Sequence, residues 1–244
     1  DAVILNDVDA SKRNKILKYC ISNGIKAYIR PKLGDIIMNN ATHTKMLSLP
    51  MITIRQNDLQ IGYQIFKRAW DTVLALLGLI VFSPLMLIIA LFVKLGDGGP
   101  VFYRQTRLTK GAKKFSIVKF RTMRVDAEKD GVARLACRQD NRITPVGRFL
   151  RASRLDELPQ LFNILQGDMS FVGPRPERPE IAWQYAENLQ EFNLRLLAKA
   201  GLTGYAQVYG KYNAAPYDKL QMDLIYLVNR SIFTDLKLMF ATLK

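Results

Sequence analysis

Two adjacent carboxylates, Asp156 and Glu157, lie in the densest polar stretch of the chain, "DNRITPVGRFLRASRLDELPQLFNILQGDMSFVGPRP". Arg142, Arg148, Arg151 and Arg154 come just before them, and Arg175 follows, fixed between Pro174 and Pro176. The plain structural alternative is that the pair complements a helix dipole, worth about 0.3–1 kcal/mol. The cationic surroundings favour chemistry. A carboxylate among arginines at a helix N-terminus is expected to stay ionised, so it can act as a nucleophile or bind a divalent metal. Arginines clamp phosphate oxygens bidentately, and the Pro-Arg-Pro run adds one more fixed guanidinium. The single histidine, His43, sits in a polar connector and reads as incidental, which leaves no histidine base.

The elements that must hold these residues are partly legible. Thr144-Pro145 opens a short helix with a cap and a first-turn proline. Ser153 or Asp156 is expected to cap the next helix, whose buried stripe reads Leu158, Leu161, Phe162 and Leu165. Gly167-Asp168 ends it. Upstream, "PVFYRQ" and "KFSIVKFRTM" read as two strands around a turn at Lys110-Gly111. Lys119 and Arg121 are two apart on the second strand and share a face. This basic hairpin reads as a phosphate site and equally as a polybasic skirt on anionic lipid, at about 1 kcal/mol per base, and the two are compatible. Downstream, "QYAENLQEFNLRLLAKAG" reads as one structural helix. "FTDLKLMFATLK" places Phe233, Leu236, Met239, Phe240 and Leu243 near one helical face, for the core or for a membrane surface.

Thr72 to Val93 carries no charged side chain. A helix of about 20 residues covers a hydrocarbon core of about 30 Å. Lys67 and Arg68 precede it; Lys94, Arg104, Arg107, Lys110, Lys113, Lys114, Lys119, Arg121 and Arg124 follow, offset only by Asp97 before Asp126. Basic flanks prefer the cytoplasmic side, so a single span would export Lys67 and Arg68. Pro84 removes a backbone donor and crowds the carbonyl of Ile80, so the helix is expected to kink there. Ser83 can bond the freed backbone locally. A helix bent at Ser83-Pro84 could return to the face it entered, keeping both flanks cytoplasmic; an ordinary kinked span is the alternative. Trp70 and Trp183 are candidate interfacial anchors.

The chain has 244 residues and a formal charge of +15. That suits anionic lipid or phosphate-bearing substrates. Nucleic acid is set aside as a partner, because no helix-turn-helix, zinc-finger or RNA-recognition signature and no aromatic stacking platform is present. Cys20 and Cys137 lie too far apart for a metal or redox motif and read as reduced packing residues. The opening segment reads as strand, helix and strand, with residues 31 to 60 as a connector.

From about Tyr63 onward the chain resembles the bacterial sugar transferases, the monotopic polyprenyl-phosphate hexose-1-phosphate transferases. The matching motifs are "FKRAWD", the Ser83-Pro84 break, "GPVFYRQTRLTKGAKKFSIVKFRTM", the acidic-pair stretch through "GPRP", and "GLTGYAQV". The resemblance implies a mixed, helix-rich α/β fold. It implies a re-entrant membrane helix over about 67–95 and a cytosolic catalytic domain over 61–244. Residues 1–60 would then be the last part of a Rossmann-like domain plus a connector, in a protein of the longer type.

The implied reaction is a Mg2+-dependent transfer of hexose-1-phosphate from a UDP-sugar, UDP-glucose or UDP-galactose, to polyprenyl (undecaprenyl) phosphate. Asp156 would attack the β-phosphorus, release UMP and carry the phosphosugar, and would also ligate the metal. Glu157 would position or polarise the acceptor, or assist the metal. Lys119, Arg121, Arg148, Arg151 and Arg175 would contact phosphate. The setting would be the cytoplasmic face of a bacterial inner membrane, at the first membrane step of capsule, exopolysaccharide or O-antigen synthesis, with room for a homo-oligomer. Ala200, where many relatives have proline, and Lys211, where many have arginine, depart from the family pattern. Two readings compete with this one: a bitopic membrane protein with a basic lipid- or partner-binding domain, and a glycosyltransferase that releases UDP.

Overall fold

A computed structural model describes residues 2–39, 41–46, 49–53, 61–125, 127, 140–210 and 214–242. Cys137, Lys211 and Leu243 fall outside these residues, as does the side chain of His43. The chain forms two compact units, Asp1–Gln56 and Asn57–Lys244.

In the first unit, β1 (Ala2–Leu5) and β2 (Lys26–Ile29) pair in parallel and are joined by α1 (Ala10–Ser22), as the sequence predicts. Asp9 caps α1 by accepting from the amide of Ser11, and Cys20 is a buried free thiol. The segment read as a connector contains more: α2 (Leu33–Met38) and an antiparallel hairpin of β3 (Thr42–Met46) and β4 (Leu49–Thr53). Asp35 in α2 accepts from Arg13 at 2.6 Å, tying the two helices together.

The second unit begins with α3 (Ile61–Asp97), which contains Pro84. It is the one candidate membrane helix among the described residues, with a mean hydropathy of 2.8 in its most apolar window. Pro84 deprives the carbonyl of Ile80 of its usual donor, and the Ser83 hydroxyl donates to that carbonyl at 2.8 Å. The "FKRAWD" motif docks the start of this helix into the body. Lys67 donates to the buried Asp235 at 2.6 Å, and Arg68 donates to the carbonyls of Ile164 and Leu165. Asp71 accepts from the amide of Phe171. Lys67 and Arg68 are therefore structural clamps as well as a basic flank.

β5 (Phe102–Leu108) and β6 (Lys114–Phe120) form the expected antiparallel hairpin, turning through Lys110–Ala112 with Gly111 at φ 69°. Then come α4 (Pro145–Ala152), α5 (Gln160–Gln166), β7 (Met169–Val172) and α6 (Pro179–Asn188). β8 (Ala200–Thr203), α7 (Tyr205–Tyr209), α8 (Pro216–Val228) and α9 (Ile232–Thr242) complete the unit. β7 and β8 pair in parallel. The stretch read as one helix breaks after α6 at Leu189 (φ −144°) and continues as 3-10 turns over Gln190–Leu197.

One apolar cluster joins Ala75 of α3 to Phe115, Ile117, Leu161, Ile164, Met169 and Ala200. A second joins Met86, Ile89 and Val93 of the same helix to Phe120 and Leu150. Both halves of α3 thus pack against one body. Between them the contact lapses: residues 80 to 84 are all exposed, although helical spacing from Ala75 and Leu79 would bury position 82 or 83. In α9, Asp235 and Leu238 are buried while Phe233 and Phe240 face outward.

Candidate active site

The helix that follows the acidic pair starts later than the sequence suggests. Thr144 caps α4 as predicted, accepting from the amide of Gly147 at 2.9 Å. Neither Ser153 nor Asp156 caps α5. The Ser153 hydroxyl instead donates back to the carbonyls of Phe149 and Leu150, at the end of α4. Arg154 then adopts a left-handed conformation (φ 58°), and Leu155–Glu157 form a single 3-10 turn before α5. Asp156 and Glu157 therefore sit on a sharp corner between α4 and α5.

The corner is anchored by a residue that the apolar pattern passes over. Asn163, 1% exposed, accepts from the amide of Val118 at 2.9 Å and donates to the carbonyl of Ser116 at 2.8 Å. One side-chain amide thus acts as an extra ladder rung between α5 and β6. It places Lys119, one residue on, against the corner. The predicted buried stripe needs one correction: Phe162 is 42% exposed, and Ile164 takes the core position with Leu161. Gly167 ends α5 in the left-handed region (φ 93°), as read from the sequence.

Lys119 donates to Glu157 Oε1 at 2.6 Å, and Arg175 donates to the same oxygen at 3.2 Å. Burial alone would push Glu157 up. The two cations outweigh it and hold its carboxyl at about 2. Asp156 behaves oppositely. Burial first, and the Glu157 charge second, raise it above the ordinary aspartate range, with Lys119 and Arg151 offsetting only part of this. Asp156 is 9% exposed, and Lys119 and Arg175 are bonded to its neighbour, so its surroundings favour the charged form less than the run of arginines in the sequence suggests. Among the described residues no side-chain donor is hydrogen-bonded to Asp156. The dyad therefore has one clamped member and one open member.

Of the other predicted cations, Arg151 stays close enough to act electrostatically on Asp156, with its Nε donating to Thr122 at 2.8 Å. Arg121 is 7% exposed and turned toward α3, where Nη2 lies 3.5 Å from the carbonyl of Val93. Arg148 is exposed, and among the described residues no ion pair joins it to the dyad. The site thus gathers Lys119, Arg151 and Arg175 but not Arg121 or Arg148. It adds Arg107 and Gln160, which line a pocket of about 250 Å³ with Lys119, Glu157 and Arg175. Both have a buried nitrogen without a hydrogen-bond partner, Arg107 Nε and Gln160 Nε2. Burial, together with the neighbouring arginines, lowers Arg107 to about 10. The signal for Arg107 was its alternation with Gln105 on a strand facing Lys119; a lone glutamine after Pro159 gave none.

Glycine explains the spacing of the surrounding motifs. A side chain on Gly201 would run into Gly173, and one on Gly204 would meet the Gly173 carbonyl. The "VGPRP" and "GLTG" segments cross at backbone contact, and Gly173 donates to the carbonyl of Thr203 at 2.9 Å. The family model described as bacterial sugar transferase matches residues 62–244. This chain belongs to that family.

Among curated relatives, the chain is 37% identical over 225 residues to the UDP-glucose:undecaprenyl-phosphate glucose-1-phosphate transferase of Xanthomonas campestris pv. campestris, covering 89% of this chain and 46% of the relative. It is 39% identical to the protein of the same description from Escherichia coli (strain K12), covering 86% and 47%. It is 40% identical to the UDP-N-acetylgalactosamine-undecaprenyl-phosphate N-acetylgalactosaminephosphotransferase of Aeromonas hydrophila, covering 75% and 44%. The chain thus spans just under half the length of these relatives.

The two carboxyls give the site a pH signature. Were Asp156 the attacking group, it would have to be deprotonated, and activity would fall as pH drops through its raised value. Glu157→Gln removes the like charge and frees Lys119 and Arg175, and both changes favour ionised Asp156. The acid limb of the pH–rate profile for nucleotide release should therefore move to lower pH in Glu157→Gln. A limb that stays in place or moves up would mean that a group other than Asp156 controls it.

Proposed function

We propose that this chain carries the catalytic module of a UDP-sugar:polyprenyl-phosphate sugar-1-phosphate transferase. The single observation that carries the reading is the unequal dyad: Glu157 is locked by two cations, while Asp156 beside it has no side-chain donor among the described residues. An unclamped carboxylate with a raised pKa is a better nucleophile than a clamped one. The relatives' names supply the substrate classes, a UDP-sugar and undecaprenyl phosphate. UDP-glucose or UDP-galactose is our preferred donor.

In the first step an Asp156 oxygen forms a bond to the β-phosphorus. The bond from that phosphorus to the bridging oxygen breaks, and UMP leaves with the electron pair. In the second step a phosphate oxygen of the lipid attacks the same phosphorus and restores the carboxylate. Lys119, Arg151 and Arg175 screen the approach of anion to anion, and Glu157 orients two of these cations. Arg121 and Arg148 would serve phosphates only at the margin of this site.

Among the described residues no cluster of three or more metal-ligating side chains occurs. That donor set does not suit an all-protein cage. It does suit Mg2+, which binds through one or two carboxylates plus substrate phosphates. Asp156 would be the protein ligand, and the ion would neutralise charge on the diphosphate.

Two docked ends and an exposed, proline-containing middle support a re-entrant α3, with the body on the cytoplasmic face of a bacterial inner membrane. The parallel β1–β2 pair joined by α1 supports a Rossmann-like origin for residues 1–60. Synthesis of a capsule, exopolysaccharide or O-antigen would be the setting.

The test is the nucleotide product. Detergent-extracted protein given polyprenyl phosphate and a panel of UDP-hexoses should release UMP with a preference for one sugar. Release of UDP would instead make it a glycosyltransferase, and no release from any donor would favour a binding protein.

A further inference from the structure

The loop that carries Arg175 is held by its carbonyls. Pro174 and Pro176 remove two donors, which leaves fewer amides to fix the loop. Four successive carbonyls accept from outside instead. Pro174 accepts from Gly201 N at 2.9 Å, Arg175 from Arg195 Nη2 at 2.9 Å, Pro176 from Arg107 Nη1 at 3.2 Å, and Glu177 from Leu108 N at 3.1 Å. Arg195 is 3% exposed, and its charge is met by Asp223 of α8 at 2.8 Å and by Glu177 at 3.5 Å. A buried ion pair rarely stabilises more than apolar packing of the same volume, so this one calls for a reason other than stability. Its Nη2 lies 2.8 Å from Asp223 Oδ2 as an ion pair and donates to the Arg175 carbonyl, while Nη1 faces Glu177, and the Arg175 side chain then reaches Glu157 at 3.2 Å.

We propose that Arg195, fixed by Asp223, is a positioning residue for the transfer reaction: it holds the Arg175 backbone so that the guanidinium meets Glu157 and the donor phosphates. This rests on the transferase reading given above. Arg195→Lys keeps a charge against Asp223 but has one ammonium on a shorter stem, so it cannot hold Glu177 with one nitrogen while another serves Asp223 and the Arg175 carbonyl. It should melt within a few degrees of the parent protein, yet its kcat for UMP release should fall roughly ten- to hundredfold. In an Arg175→Ala background the same change should alter kcat by less than about twofold, because its target is gone.

Should Arg195→Lys fold poorly, Arg195→Met combined with Asp223→Leu fills the space without an unpaired charge and should show the same loss in kcat. Parental kcat in either folded variant overturns the proposal, as do losses that multiply with that of Arg175→Ala. If Arg175→Ala alone leaves UMP release intact, the reading of the site itself falls. Impaired Arg175→Ala with multiplying losses removes only the positioning role.

Discussion

Asp156→Asn should reduce UMP release by at least about 10⁴-fold, a loss comparable to removing the nucleophile in other covalent mechanisms. The substitution keeps shape and volume at a 9% exposed position, so folding and membrane extraction should be unchanged. In the proposed mechanism it removes the anionic oxygen that attacks phosphorus. Glu157→Gln should cost much less, on the order of 10²-fold, since it disturbs the cations around the reacting centre and not the attacking atom. The ordering of the two losses is the informative quantity. Equal losses would argue that the carboxylates act as a symmetric metal pair. With donor alone, the parent protein should gain the mass of one phosphosugar and Asp156→Ala should not. A variant at Asp156 that retains more than about 1% of the parental rate would point to direct transfer between the two substrates without a covalent intermediate.

How much of this site was legible depended on whether a residue's role is local. The hairpin around Lys110-Gly111, the Thr144 cap and the Gly167 stop all follow from short-range backbone preferences, and they stand where the sequence puts them. The turn bearing Asp156 did not, because a left-handed Arg154 is a tertiary choice with no glycine to announce it. Asn163 looks like an ordinary polar residue on a helix, and only the docked edge of β6 reveals that its amide is a rung. Lys67 and Arg68 read as a membrane flank, because sequence periodicity cannot show that Asp235 and the end of α5 wait for them. Arg121 and Lys119, two apart on a strand, promised a shared face. The strand ends at Phe120, and Arg121 turns instead to α3.

The second large effect concerns topology, where the outcome is all or none. Asp71 and Val93 are 22 residues apart, about 33 Å along a straight helix, which matches a hydrocarbon core of about 30 Å. A straight span would therefore put them on opposite faces. Yet Asp71 accepts from Phe171 and Val93 accepts from Arg121, and both partners belong to the same folded unit. A bilayer between the two contacts would break one of them, along with the apolar cluster beside it. Single cysteines at Ile65 and Leu95, 65% and 73% exposed, should therefore react together with a membrane-impermeant thiol reagent, and only once the inner membrane is opened. Replacing Pro84 with leucine returns a donor to the Ile80 carbonyl and favours a continuous rod. That variant should move one of the two cysteines to the outside or fail to insert with its body folded. Labelling of Leu95 and Ile65 from opposite sides in the parent protein would rule out the re-entrant helix and separate the lipid-facing segment from the dyad it is thought to serve.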